Sequence, residues 1–279
     1  MRFTAKVALV AILSAPAFCA DVVITKSKHS DAMKMPGNEQ PAKDTTETTW
    51  IGKDRMRIED GDQVTIIRAD QKKMYMLDMK AKTASTIDLP FDLKKYIPAE
   101  QAEMMEPFMS QIKVTITPST ETKKIKEWTA TKYTMTQTMP MPMGGGITQE
   151  IWATKDVQAD TAALNDLFAT AMSTGMGGAA MANEYKKIQG FPVLVERTQS
   201  MMGQSFKSRE EVKSIETKDA PEGSYDVPKD FTAKPFDPMA GGPMGGGPGR
   251  PGGGGGKPGG LPPGGKPKDK GGAEGWKQD

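Results

Sequence analysis

Four methionines, Met135, Met139, Met141 and Met143, gather at one strand end and in the loop that follows, Met139-Pro140-Met141-Pro142-Met143-Gly144-Gly145-Gly146. Thioether sulfurs are soft ligands that select Cu(I), and Pro-spaced apolar side chains in a Gly-rich loop have no obvious core to fill. Met139, Met141 and Met143 are therefore candidate copper ligands or antioxidant groups, with His29, Met33 and Met35 as a second grouping. The competing use of the same residue type is packing. Of the 21 methionines, Met104, Met105, Met109, Met172 and Met181 sit among helical apolar positions, where an unbranched side chain fills irregular gaps or adapts to varied ligands. Core or cavity lining is the commoner role, and copper handling stands as the alternative.

Other chemistry has few carriers. His29 is the only imidazole and Cys19 the only thiol, so a Ser-His-Asp or Cys-His arrangement would rest on one ring and a zinc site would lack ligands. Asp60 and Asp62 could pair as acid and base, but beside Gly61 they read as turn residues. The glycine runs lack the lysine and hydroxyl residue of a phosphate-binding loop. These residues predict no catalytic site and no cofactor.

The elements that would position any site are mostly strands. Thr45–Ile51, Arg55–Glu59, Gln63–Arg68, Lys73–Leu77 and Thr83–Ile87 recur about every ten residues, broken by Gly52-Lys53-Asp54, Asp60-Gly61 and Ala69-Asp70-Gln71. In Arg55–Glu59, Met56 and Ile58 point one way and the charged residues the other, giving one dry face and one wet face. Lys73–Leu77 is apolar on both faces, as expected of a strand near the sheet's centre or packed on both sides.

Two helical interludes follow. The first, over about 91–112, has Pro98 in a first turn, Pro107 as a kink, and Met104, Met105, Phe108, Met109 and Ile112 on one face. Strands resume at Lys113–Thr117, within 123–138 and at Ile147–Thr154. The second interlude starts at Asp160-Thr161, repeats Leu164, Leu167, Phe168, Ala171 and Met172 at helical spacing, and has a further segment Ala179–Ile188 capped by Gly190. Strands at Phe191–Thr198 and Ser205–Val212 and a closing Tyr225-Asp226-Val227-Pro228 complete the domain.

Both ends of the chain differ from this body. Residues 1–20 combine Arg2 and Lys6, an apolar run Val7–Leu13 and the small residues Ser14, Ala15 and Ala17, the pattern of a cleaved export signal. Cleavage after Cys19 or Ala20 would leave a cysteine-free chain suited to an oxidising compartment, the periplasm or the exterior. Phe18 stands where a lipoprotein signal wants a small residue. Removing residues 1–20 leaves 35 basic against 35 acidic residues, a balance that argues against nucleic acid as a partner. Residues 238–279 are dominated by Gly and Pro and read as a disordered tail, either a solvated linker or a tether touching the cell envelope, with Trp276 as a sticky point.

The succession Trp50-Ile51-Gly52-Lys53-Asp54-Arg55-Met56-Arg57, Lys73-Met74-Tyr75-Met76-Leu77, Glu150-Ile151-Trp152-Ala153-Thr154, Gly190-Phe191-Pro192-Val193 and Tyr225-Asp226-Val227-Pro228 resembles an exported family of unknown function whose members are similar to the LolA-like lipoprotein carriers of the bacterial periplasm. Lys126-Glu127-Trp128 departs from the glycine expected before that strand, and the Gly-rich tail is extra. The resemblance implies an α+β, mainly β domain over residues 21–237. Its curved antiparallel sheet would form a half-open barrel wrapped around helices, with an apolar cavity that in relatives receives acyl chains. Ile58, Met74, Met76, Leu164, Leu167 and Phe168 are the expected lining. The function expected is a noncatalytic exported protein holding a lipid or other hydrophobic molecule. Copper handling and an envelope scaffold remain the alternatives.

Overall fold

Wherever apolar and polar residues alternate, the chain is extended. The computed structural model describes residues 21–35, 38–109, 111–139, 145–157, 183–201 and 204–238. The expected meander is present as β4 (Lys43–Ile51), β5 (Arg55–Asp60), β6 (Gln63–Arg68), β7 (Lys73–Asp78) and β8 (Thr83–Asp88). The later strands are β9 (Lys113–Ile125), β10 (Trp128–Met139), β11 (Gly145–Thr154), β12 (Phe191–Met201) and β13 (Gln204–Thr217). Asp60 still pairs with Gln63, so the β5–β6 turn is Gly61-Asp62, one residue later than expected, with Gly61 at φ 61°. Between β9 and β10 the turn is Lys126-Glu127, and Lys126 itself adopts the left-handed φ of 51° that a glycine would favour. Its Nζ donates to the Lys213 carbonyl at 2.7 Å, which helps hold the turn.

Four strands were not foreseen. The short β2 (Met33–Met35) and β3 (Asn38–Gln40) form a separate hairpin, and β14 (Thr232–Ala233) runs parallel to β8. The fourth, β1 (Val22–Ser30), is central to the fold. It pairs antiparallel with β4 on one side and with β13 on the other, and so joins the two meanders into one sheet of order β14-β8-β7-β6-β5-β4-β1-β13-β12-β11-β10-β9. The sheet is curved and does not close, because β14 and β9 are not paired with each other. The mainly β, half-open architecture is as expected.

The helical content differs from expectation in detail. The first interlude is a 3-10 turn at Leu93–Lys95 followed by α1 (Ala99–Met109). Pro98 precedes α1, its carbonyl accepting from Ala102 N, and Pro107 lies in the last turn. Met104, expected on the apolar face, is 64% exposed, and Ala102 is buried instead. Phe91 and Leu93 enter the core from the extended and 3-10 segments before the helix. There Phe91 stacks on Tyr96 at 5.7 Å, and Phe236 meets both rings edge-on. Residues 158–182, which carry most of the second interlude, lie outside the described residues; a helical turn at 183–185 is present. Gly190 does not cap a helix. It has φ 97° and passes so close to β11 that a Cβ would lie 2.2 Å from the Thr154 carbonyl oxygen.

The face of β5–β8 that carries Arg55, Arg57 and Arg68 is covered by a strap, residues 218–236, and is not simply wet. Tyr225 packs with Val64, Ile66, Leu77 and Ala84, so β7 is indeed buried on both faces. The arginines hold the strap. Arg57 donates to the Ser224 carbonyl at 2.9 Å, Arg68 donates to Asp226 at 2.9 Å, and the Arg55 guanidinium lies 4.4 Å from the Tyr225 ring centre. Tyr225 OH donates at 2.9 Å to buried Asp21, at the entry to β1. Burial, then the Asp21 carboxylate, push the phenol pKa well above its usual value.

Two outcomes follow from these contacts. Gly190→Ala should cost about 3 kcal/mol or more in urea denaturation, since strain at positive φ adds to a clash with backbone. Tyr225→Phe should cost about 1.5–3 kcal/mol by the same measurement, because a buried carboxylate loses its donor. A loss below about 0.5 kcal/mol in either variant would contradict the corresponding contact.

Candidate ligand-binding face

Residues of one parity share a face of the sheet. The registers align them in rows across β1, β4, β5, β6, β7 and β8, roughly 7 Å apart along the strands. The first row reads Val22, Ile51, Met56, Ile67, Met74, Ile87; the second Ile24, Thr49, Ile58, Thr65, Met76, Ser85; the third Lys26, Glu47, Asp60, Gln63, Asp78, Thr83. First-row residues cluster with Trp152, Phe191, Val193 and Leu194 from the far half of the sheet, so this face is the inner one. Polarity therefore rises along the strand direction, from a filled apolar row to a mixed row to a charged one.

Beyond β1 the same face continues through the pairs Lys28–Glu210, Glu210–Val195, Val195–Ile151 and Ile151–Tyr133. It ends in a second apolar patch of Ile116, Tyr133, Met135 and Ile151. Segment 183–189 closes that patch: Ile188 packs on it, Gln189 N donates to Tyr133 OH at 3.2 Å, and Glu184 Oε2 accepts from Ile116 N on edge strand β9 at 2.7 Å. A charged band thus separates two apolar patches on one concave surface.

The band is a connected ionic network. Lys26 Nζ donates to Glu47 Oε1 at 3.1 Å, and Lys28 Nζ donates to Glu47 Oε2 at 3.1 Å and to Asp60 Oδ2 at 2.8 Å. Burial works against ionised Glu47, yet the Lys26 and Lys28 ammonium groups outweigh it and hold the carboxyl below its usual range. Burial likewise works against charged Lys28, and Glu47 with Asp60 overcome it, raising that ammonium well above its ordinary value. Nearby on the face, Gln149 with its amide oxygen turned toward Arg197 accepts from the guanidinium at 3.2 and 3.3 Å. Each of these groups is held in an ion pair or a hydrogen bond.

The residues expected to line a cavity divide. Met74 is buried in the first row, and Ile58 and Met76 are half-buried in the second row on the inner face, one on each side of Thr65 and packed against the main cluster. Leu164, Leu167 and Phe168 lie outside the described residues. Of the methionine group, Met135 is buried in the second apolar patch, Met139 ends β10 opposite Gly145, and Met141 and Met143 lie outside the described residues. Met33 is buried, and Met35 ends β2.

His29 points to the opposite, outer face. There Nδ1 lies 2.7 Å from Asp44 and Nε2 lies 3.3 Å from Asp31, and the hydrogen bond to Asp44 raises the imidazole pKa. Around it are two polar hollows of about 340 Å³ each, one lined by Lys207, Arg209, Glu196 and Glu150, the other by Ser27, Asp44 and Thr46. Among the described residues no group of three His, Cys, Asp or Glu side chains could hold a metal ion.

The ionic band was missed because β1 was missed. Its signal lay in the two-residue period of Ile24, Lys26 and Lys28, obscured by the adjoining export signal. Trp128 and Trp152 are buried, the latter under the Lys123 ammonium at 3.8 Å, and Trp50 is half-covered.

Residues 31–231 match the model of a family described as "Domain of unknown function (DUF4412)". The chain belongs to this family. Among solved structures it is similar to a domain from Vibrio parahaemolyticus described as an outer membrane lipoprotein-sorting protein, with 7% identity, TM-score 0.29, and coverage of 74% of this chain and 89% of that one. A DUF1329 family protein from Desulfovibrio piger ATCC 29098 is similar at 7% identity and TM-score 0.28, covering 75% and 90%. No curated protein matches the chain. At these TM-scores neither neighbour bears on ligand or partner.

Glu47→Gln should destabilise the DUF4412 domain by about 2 kcal/mol, because two partly buried ammonium groups lose their shared carboxylate. The sign with pH follows from the shift. Since the folded carboxyl ionises below its unfolded value, its contribution is complete above that value and is lost as pH falls through the folded one. Denaturation midpoints of the native protein should therefore fall on acidification over this range, and those of Glu47→Gln should fall less. Parallel curves would contradict the assignment.

Proposed function

We propose that this DUF4412 protein is an exported, noncatalytic binding protein that holds a hydrophobic small molecule or acyl chain against its inner face. One observation carries the reading: Ile58 and Met76 are only half-buried on the concave side of an open sheet, directly beside the filled row of Met56, Ile67, Met74 and Ile87. A sheet face that only needed a core would bury Ile58 and Met76 as completely as those four residues. Methionine at such a position suits ligands of varied shape.

The sequence of residues 1–20 supports export, and the balanced charge of the rest supports an uncharged or amphiphilic partner over nucleic acid. Leu164, Leu167 and Phe168 are proposed to complete the apolar lining, and the tail from residue 238 to make any envelope contact.

Native mass spectrometry of mature protein purified from a membrane-containing host should detect a bound acyl species. Met76→Glu should weaken binding of a fluorescent acyl probe about tenfold or more, since an unpaired carboxylate would meet the chain. A protein that is both empty and indifferent to acyl probes would defeat the proposal.

A further inference from the structure

We infer that the Lys26–Glu47–Lys28–Asp60 band is the polar-group site for an amphiphile bearing an anionic head, with Lys26 as its direct contact. The inference deepens the binding reading above and rests on it.

The argument starts from what the band costs. Three ion pairs on the inner face of a sheet give up hydration, and well-packed apolar residues of similar volume would serve stability as well or better. A purely structural role would also be met once every donor and acceptor was matched, as happens on Glu47, whose two oxygens are each taken by one lysine. Lys28 spends two of its three N–H donors, on Glu47 and Asp60. Lys26 spends one: among the described residues its ammonium has Glu47 as its sole acceptor. The side chain is a quarter exposed, so the remaining donors are reachable. Of the band's unspent donors, two lie on Lys26 and one on Lys28.

Position makes this useful. Lys26 follows Ile24 by two residues on the same strand and the same face, and Ile24 shares its row with Ile58 and Met76. Ile24 and Thr49 are themselves buried, so a chain would lie over Ile58 and Met76 and bring its head group to Lys26 from two strands away and one row along. Glu47 and Asp60 lie in the same row as Lys26, and each is paired with lysine. A carboxylate or phosphate head on an acyl chain has the chemistry that fits. A free fatty acid and an anionic phospholipid are the two sources of that chemistry.

The test compares charged and neutral forms of one probe. The mature protein is titrated with an anthroyloxy-labelled fatty acid and with its methyl ester, and with lyso-phosphatidic acid and lyso-phosphatidylcholine as competitors. The acid should bind about tenfold tighter than the ester, the value of one hydrogen bond between charged groups. Lys26→Met should bring the acid down to the ester's affinity and leave the ester unchanged. Stronger competition by lyso-phosphatidic acid than by lyso-phosphatidylcholine would identify phospholipid as the source, and displacement by free fatty acid alone would identify the carboxylate. Equal binding of acid and ester to the unaltered protein would overturn the head-group site while leaving the binding reading intact. Binding of neither form would overturn both. Because the acid and ester comparison needs no substitution, it decides the matter even where Lys26→Met lowers stability.

Discussion

Strand β1 is hydrogen-bonded along both edges, and the sheet depends on it. Without its ladders to β4 and β13, the meander of β4–β8 and the meander of β9–β13 would each expose an unpaired edge and half of a shared core. The two halves meet in one cluster that contains Met56, Met74 and Ile87 from one meander and Trp152, Phe191 and Leu194 from the other. That cluster can form only when a central strand sets their spacing and register. The Asp21–Tyr225 hydrogen bond at its entry and the Phe236–Phe91–Tyr96 ring contacts tie the strap to the same assembly from either side of the sheet.

The same strand creates the candidate site. Because β1 alternates through Val22, Ile24, Lys26 and Lys28 on its inner face, the polarity of the whole concave surface changes along the strand axis. Glu47 on β4 and Asp60 on β5 share Lys26's row, and Lys28 reaches both from the next row. A band of this kind contributes little net stability, since desolvation offsets much of the attraction. It does fix which rows can be apolar, and hence where a hydrophobic chain can lie.

Edge strand β9 shows another constraint at work. It is long and exposed, a form prone to pairing with other chains. Pro118 removes one donor, an irregularity opposite Thr131–Tyr133 bends the ladder, and Glu184 takes the outward Ile116 N–H. Lys123 and Lys124 add charge near its end. These are the means by which an open sheet stays open without adding strands from its neighbours.

Local patterning was legible wherever a two-residue period stood between turn residues, which is why β5, β6, β7 and β8 begin at the residues expected and why Met56, Ile58, Met74 and Met76 were assigned to one face. A turn carried by Lys126 in left-handed conformation was harder to see, because its residue type does not announce it. Gly190 was recognised as special for the wrong reason: a close backbone approach to Thr154, not a helix end, requires it. By itself the sequence determined the strand-rich body, the dry face and the family resemblance, because these depend on neighbours two to ten residues apart. Only the tertiary structure decided that β1 lies at the centre of the sheet, that the arginine face carries the strap, and that four charges converge on the inner face. Those facts depend on residues such as Lys28 and Asp60, or Asp21 and Tyr225, whose meeting is set by strand order and register, and neither is written in any local pattern.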